Sequence, residues 1–357
     1  MTTNPDLPTE GIAEPDSAAS NPAAMPNPAA VLKAMGEVVV ENRPVPQPEP
    51  HQVLVAIGAV GICGSDIHYY EHGRIGDFVL KAPMIIGHES AGYVVAVGDD
   101  VDPSRVGQLV ALEPGVPCKE CPQCLAGRYN LCPDVQFFAT PPVDGSIVKY
   151  LAIDAAFAHP APQGLSAEQA AMAEPVSVGV WASRKAAVTV GDRVLITGAG
   201  PVGLFAAQVA AAFGAASVTL TDLSEYRLQA AADLGFNAQR AGAPLGEDQF
   251  DVLFECSGAA EAFTAGMRAL DRAGRAVVVG MGTEWLPLEV AALQGRELSV
   301  SGVFRYRSCY PAAVQLIAQG AVDVAGVVTH RFAMEDTEDA LTLARREAHS
   351  LKAVVVP

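Results

Sequence analysis

The chain has 357 residues, half of them hydrophobic and only 18% charged, which describes a globular protein long enough for two domains. With 23 Lys and Arg against 40 Asp and Glu, its net charge is −17. A surface that acidic repels phosphate backbones, which excludes nucleic acid or an anionic membrane as the main partner but leaves room for a nucleotide held at a local site.

Residues 1–30 carry six prolines, seven alanines, no aromatic and no basic residue. They bury too little apolar area to offset chain entropy and are expected to be a disordered tail. No basic residue precedes Lys33, which argues against a secretory or mitochondrial signal. From Lys33 to about Val110, short apolar runs such as Val53–Ile57 and Tyr93–Val97 are separated by Gly and Pro, so the pattern predicts β structure throughout. Residues 112–134 form a lobe rich in Cys, Pro and Gly, and a further strand is expected near Val148–Ile153.

At Ser166 the character changes. The pattern predicts strand Val194–Thr197, a helix from Pro201, strand Ser217–Thr221, helix Ser224–Leu234, strand Asp251–Glu255, a helix near Ala260–Leu270, strand Arg275–Gly280 and a helix near Pro311–Gln319. This alternation predicts an α/β fold with a doubly wound parallel sheet. The nearly uncharged stretch Val194–Leu220 is long enough to span a bilayer, yet its glycines and Pro201 break it into strand, tight turn and helix.

Directly after the strand ending at Thr197 comes Gly198-Ala199-Gly200-Pro201-Val202-Gly203, a G-x-G-x-x-G turn. Gly198 permits the tight turn, Gly200 admits a pyrophosphate close to the backbone, and Gly203 lets the helix pack. The helix N-terminus then presents free N–H groups to the phosphates. Asp222 at the end of the next strand can accept hydrogen bonds from a ribose and repel a 2′-phosphate, which favours NAD over NADP; it can also act as a helix cap before Ser224. Arg227, one turn on, can stack near the adenine or stand at the surface.

Two sets of metal-ligand residues stand out. Cys118-x2-Cys121-x2-Cys124-x7-Cys132 places four thiols in one irregular lobe, the donor set of a closed tetrahedral zinc site that would serve as the lobe's core. Two disulfides or free thiols are the alternative, but clustering in so long a chain favours metal and a reducing cytoplasm. The second set is dispersed: Cys63 in Gly61-Ile62-Cys63-Gly64-Ser65-Asp66-Ile67-His68, the pair His88-Glu89, and Glu174 in Glu174-Pro175-Val176-Ser177-Val178. These residue types suit a catalytic zinc with one open position. Taken singly, Cys63 could be core, His88 a buried hydrogen-bonding residue and Glu174 a helix-end cap.

The segment Gly87–Val101 fits G-H-E-x2-G-x5-G-x2-V, with Gly92, Gly98 and Val101 in place. With Gly61–Tyr69, Phe137–Pro142, Glu174–Val178 and Gly302-Val303-Phe304-Arg305-Tyr306, this makes the chain, from about residue 31 onward, resemble the zinc-containing medium-chain dehydrogenase/reductase family, in particular its sorbitol and xylitol dehydrogenase branch. The resemblance implies a GroES-like, mainly β catalytic domain over 31–174 and 300–357, interrupted by a Rossmann domain over 175–299, with substrate in the cleft between them, and a homotetramer. It implies Cys63, His88 and Glu89 as catalytic zinc ligands, Glu174 ligating the zinc or holding its water, and the four clustered cysteines around a structural zinc. It places Val202, Asp222, Arg227, Val279, Gly280, Met281, Val303, Phe304 and Arg305 near the nucleotide, and Tyr69, Glu174, Arg305 and Tyr306 near a polyol. Ser65 and His68, or zinc-bound water with Glu174, would carry the proton away as hydride passes to NAD and a ketose forms. A butanediol or threonine type of secondary-alcohol dehydrogenase is the alternative within the enzyme class; a non-catalytic zinc- and nucleotide-binding relative is the alternative outside it.

Overall fold

The structure is a computed structural model that describes residues 25–357. Most of the expected tail therefore lies outside the described residues. Its last residues do not behave as a tail: strand Pro28–Ala34 pairs antiparallel with Glu37–Asn42 and with the short strand Met84–Ile85. The reason is burial. Ala29, Ala30, Val31 and Leu32 are all fully enclosed, so the apolar area that offsets chain entropy begins before residue 31.

The chain divides into two compact units. The first comprises residues up to 120, 133–174 and 329–357. Its main sheet has the spatial order Ala158–Pro160, Leu109–Leu112, Glu89–Val97, Gln52–Gly61, Lys352–Val356 and Val328–Ala333, and Tyr150–Asp154 pairs with Gln52–Gly61 as well. Apolar residues from several of these strands, among them Val53, Val55, Val60, Val94, Val110, Leu112, Ile153 and Val355, close into one core. The register puts Gly61 opposite Glu89 on one side and opposite Val354 on the other.

The all-β expectation for 33–110 needs correction, because Gly64–His72 is an α-helix. Its apolar pattern is weak, and local chemistry sets its ends. Cys63 caps the N-terminus in extended conformation, the Asp66 side chain returns to accept the Cys63 N–H at 2.9 Å, and Gly73 closes the other end at φ +66°.

The second unit comprises residues 121–132 and 175–328. Its six-stranded sheet has the order Asn237–Arg240, Ser217–Asp222, Arg193–Thr197, Phe250–Glu255, Leu270–Val278 and Ser299–Gly302, every neighbouring pair parallel. Numbered along the chain this is 3-2-1-4-5-6, the doubly wound order that switches direction beside its first strand. Val194–Leu220 resolves into strand, helix Pro201–Ala212 and strand, and among the described residues no helix is long and apolar enough to cross a membrane.

The bounds expected from the resemblance, 31–174 with 300–357 against 175–299, need two corrections: residues 121–132 belong to the second unit, and that unit continues to residue 328. Ser299–Gly302 is the sixth strand of the parallel sheet. Tyr310, Ala313, Val314 and Ile317 of helix Tyr310–Ala318 are buried. The Gln208 amide exchanges hydrogen bonds with the backbone N–H and C=O of Asp323, fixing that segment to helix Pro201–Ala212.

Candidate metal and nucleotide sites

The dispersed metal set comes together in the first unit. Cys63 stands where strand Gln52–Gly61 runs into helix Gly64–His72, and Glu89 opens the neighbouring strand with His88 just before it. One donor atom from each of Cys63, His88 and Glu89 lies within 4.8 Å of the others. Asp66 joins the two approaches. One of its oxygens accepts the Cys63 N–H, the other accepts the Gly87 N–H at 3.0 Å and stands 3.5 Å from His88 Nδ1. A carboxylate on Nδ1 fixes the imidazole and directs its other nitrogen toward a metal.

The electrostatics match this arrangement. Burial works against the Asp66 charge, but His88 and the two backbone N–H groups outweigh it and hold the carboxyl below its ordinary range. Burial likewise opposes a charged His88, yet Asp66 and the Cys63 sulfur raise its pKa well above the usual value. Such a site favours a cation. Glu89 Oε2 is buried without a hydrogen-bond partner, a costly state for a carboxylate oxygen that metal coordination would relieve. Thiolate, imidazole and carboxylate are a donor set for zinc, so the residues fit the ion.

Glu174, buried in the first turn of helix Ala173–Lys185, belongs to the same unit. Ser65 and His68 sit one turn apart on helix Gly64–His72, and Tyr69 is buried beside them. Three residues that carry no role in the sequence reading also belong here. Asp66 is one. Gly61 is another, since a Cβ there would lie 2.0 Å from Glu89 Oε2. The third is Lys352, 3% exposed, whose ammonium donates to Glu89 Oε1 at 2.6 Å and to the Ile62 carbonyl at 3.0 Å. Burial works against its charge, but Glu89, Cys63 and Glu174 keep its pKa above that of an ordinary lysine. Asp66 is visible in the quoted motif. Lys352 has no sequence signal, because 263 residues separate it from Glu89.

One sulfur from each of Cys118, Cys121, Cys124 and Cys132 also lies within 4.8 Å of the rest. No disulfide joins any described cysteine, and the four clustered thiols suit a closed zinc site. Cys121 caps the short helix Pro122–Leu125 by accepting the Cys124 N–H at 3.4 Å. Cys256, outside both sets, is half-buried beside Glu255, and desolvation followed by that charge pushes its thiol pKa up, so it stays protonated.

In the second unit, the nucleotide candidates collect at the carboxyl ends of the parallel strands, where doubly wound sheets bind ligands. Gly198 has φ +94°, and a Cβ on it would meet the Ser257 backbone N at 2.9 Å. A Cβ on Gly203 would strike the Gly198 carbonyl oxygen at 1.9 Å. Gly200 is different: its φ is −70°, and a Cβ would find its nearest atom, on Arg227, 3.8 Å away. The fold therefore requires Gly198 and Gly203, while no packing contact requires a glycine at position 200.

Asp222 does two jobs in the turn, accepting the Ala199 N–H at 2.8 Å and the Ser224 N–H at 2.9 Å, with Arg227 3.8 Å away. Val279, Gly280 and Met281 follow the fifth strand, and Val303, Phe304 and Arg305 follow the sixth. Arg305 holds φ +54° with its guanidinium 4.9 Å from the Phe304 ring centre, and Tyr306 is buried with its ring 5.6 Å from that of Tyr310. A further support was not read from the sequence: Glu255 accepts the Ser257 N–H and hydroxyl and the Gly258 N–H, fixing the loop against Gly198.

Residues 49–163 match the alcohol dehydrogenase GroES-like domain family, and residues 201–319 match the zinc-binding dehydrogenase family. Sorbitol dehydrogenase 1 of Saccharomyces cerevisiae is 44% identical over 332 residues, 88% of this chain and 93% of the relative. Sorbitol dehydrogenase of Bacillus subtilis is 41% identical over 341 residues, 92% of this chain and 97% of the relative. Among solved structures, L-idonate 5-dehydrogenase of Escherichia coli is 30% identical with a TM-score of 0.88, over 93% of this chain and 99% of that one.

Proposed function

This chain belongs to the zinc-containing medium-chain dehydrogenase/reductase family, and from that premise we propose that it oxidises a polyol, sorbitol or xylitol being the leading substrates, at a secondary hydroxyl to a ketose with NAD as hydride acceptor. The observation that carries the proposal is the convergence of Cys63, His88 and Glu89 in a chain that also carries the full dinucleotide turn. Zinc held by those three side chains would supply Lewis-acid stabilisation of negative charge developing on a substrate oxygen.

The chain's own residues do the rest. Asp66 orients His88. Glu174, and Ser65 with His68, are the candidate carriers of the departing proton. The turn at Gly198–Gly203 binds the pyrophosphate, with Val202, Asp222, Arg227 and the loops 279–281 and 303–305 holding the remainder of the nucleotide. We assign Tyr69, Glu174, Arg305 and Tyr306 to the polyol, with Arg305 offering forked donors to more than one hydroxyl. Asp222 favours NAD.

We also propose a cytoplasmic homotetramer. The edge strand Ser299–Gly302 and the preceding segment expose Trp285, Leu288, Val290 and Val300, an apolar surface suited to a second copy. Light scattering should give four chains per particle.

A substrate panel tests the function. Groups built to bond several hydroxyls are left unpaired when those hydroxyls are missing, at about 1–3 kcal/mol each. Polyols should therefore exceed 2-propanol in kcat/KM by orders of magnitude, and Arg305→Ala, compared at saturating NAD because Arg305 also borders the nucleotide, should remove most of that margin by lowering polyol turnover far more than turnover of simple alcohols. Equal turnover of 2-propanol, butanediol or threonine and of xylitol would overturn the polyol assignment.

A further inference from the structure

Glu89 makes two different uses of its carboxylate. Oε1 accepts the Lys352 ammonium at 2.6 Å, while Oε2 is buried with no hydrogen-bond partner. The sheet explains how the two residues meet. Glu89 faces Gly61 across one strand pair, and Gly61 faces Val354 across the next. Lys352 lies two residues before Val354 and shares its face. Any side chain at position 61 would stand between them, since a Cβ there would fall 2.0 Å from Glu89 Oε2. The glycine thus lets the Glu89 carboxylate lie over the central strand and reach Lys352 on the far side.

Lys352 is, among the described residues, the only buried lysine or arginine. Enclosing an ammonium is costly unless it is paired and hydrogen-bonded, and this one is both, to Glu89 and to the Ile62 carbonyl one residue before Cys63. It therefore touches the segments that deliver two of the three candidate ligands.

We propose that Lys352 is a positioning residue for the metal: by occupying Glu89 Oε1 it leaves Oε2 as the single carboxylate donor, which holds the site to the low coordination number that suits zinc and disfavours ions that take both oxygens of a carboxylate. The inference rests on the zinc reading of Cys63, His88 and Glu89. It extends that reading to a residue outside the ligand set, on a strand far away in sequence. Outer partners of metal ligands commonly govern affinity by about 10–100-fold.

Zinc retention after dialysis against a chelator is the test, measured as zinc per chain on folded protein. The unaltered chain should keep two ions. Lys352→Met should keep only the ion of the cysteine lobe, with affinity at the other site reduced about 10–100-fold, and Lys352→Arg should restore most of the loss. Gly61→Ala, which displaces Oε2 while leaving the lysine in place, should lower retention at the same site. A lysine that only supports packing would give a lower melting temperature with zinc retention unchanged, and that result overturns the inference. If the unaltered chain holds no zinc that Cys63→Ser removes, the metal reading falls and the inference falls with it. Should Lys352→Met not fold, a crystal structure of the zinc-loaded unaltered chain decides: Lys352 on Oε1 with zinc on Oε2 supports the inference, and zinc on both oxygens overturns it.

Discussion

Asp222 shows why a residue's role in binding and its role in folding are hard to separate. The carboxylate that would meet the ribose also accepts two backbone N–H bonds that shape the turn and start the next helix. Asp222→Ser should therefore do two things. Without carboxylate–phosphate repulsion, the NAD:NADP ratio of kcat/KM should fall about tenfold or more, and loss of charge-assisted hydrogen bonds should lower stability by about 1–2 kcal/mol. An unaltered enzyme that already prefers NADP would overturn the NAD assignment and direct attention to Arg227. The glycines of the same turn separate cleanly. Gly203→Ala places a methyl on a backbone oxygen and should destabilise the fold by about 3 kcal/mol or more. Gly200→Ala meets only Arg227, at an ordinary contact distance of 3.8 Å, so it should melt normally yet bind NADH about tenfold more weakly. The sequence motif names all three glycines. Only the backbone angles and neighbouring atoms reveal that the fold requires Gly198 and Gly203 but not Gly200.

Strongly patterned elements were legible in advance. The strands ending at Thr197 and Asp222 and the helices starting at Pro201 and Glu225 fall within a residue or so of their expected positions, because Val-rich runs and a glycine turn leave little choice. Helix Gly64–His72 was not legible as a helix, since its ends are set by the Asp66 side chain and by Gly73 and not by an apolar stripe. The cysteine lobe was legible as a metal site from spacing alone, but its structural reach was not. Within the second unit the Asn130 amide donates to the Phe304 carbonyl at 3.0 Å, the Tyr129 hydroxyl accepts the Ser308 N–H at 2.5 Å, and Arg307 donates to the Gly127 carbonyl. The lobe thus braces the segment that carries Arg305 and Tyr306. Cys121→Ser should lose the lobe's zinc and lower the melting temperature. It should also raise the polyol KM several-fold while leaving the KM for a simple alcohol nearly unchanged, measured by steady-state kinetics on the two substrates. Equal changes for both substrates would show that the lobe supports overall stability only.

At the scale of the whole molecule, the two candidate sites fall in different units. Cys63, His88, Glu89, Glu174, Asp66 and Lys352 all belong to the first, and the Gly198–Gly203 turn with Asp222 belongs to the second. Each unit has its own buried sheet and core. The first unit is assembled from three separated stretches, which carry Cys63, His88 and Glu89, then Glu174, then Lys352, whereas the Gly198–Gly203 turn and Asp222 follow one another in a single βαβ run. The division makes a sharp expectation for damage to the metal site. Cys63→Ser and His88→Ala each alter a donor of the candidate metal set without touching any strand of the parallel sheet. Turnover should fall by at least about three orders of magnitude, because the charge developing on the substrate oxygen loses its counter-charge. Zinc per chain should drop from two to one, the ion of the cysteine lobe remaining. NADH affinity, read by fluorescence titration, should stay within about twofold, since a change of that size is only about 0.4 kcal/mol. A parallel loss of NADH binding would mean that the nucleotide site depends on the metal site for its shape, and the assignment of the two functions to separate units would have to be abandoned.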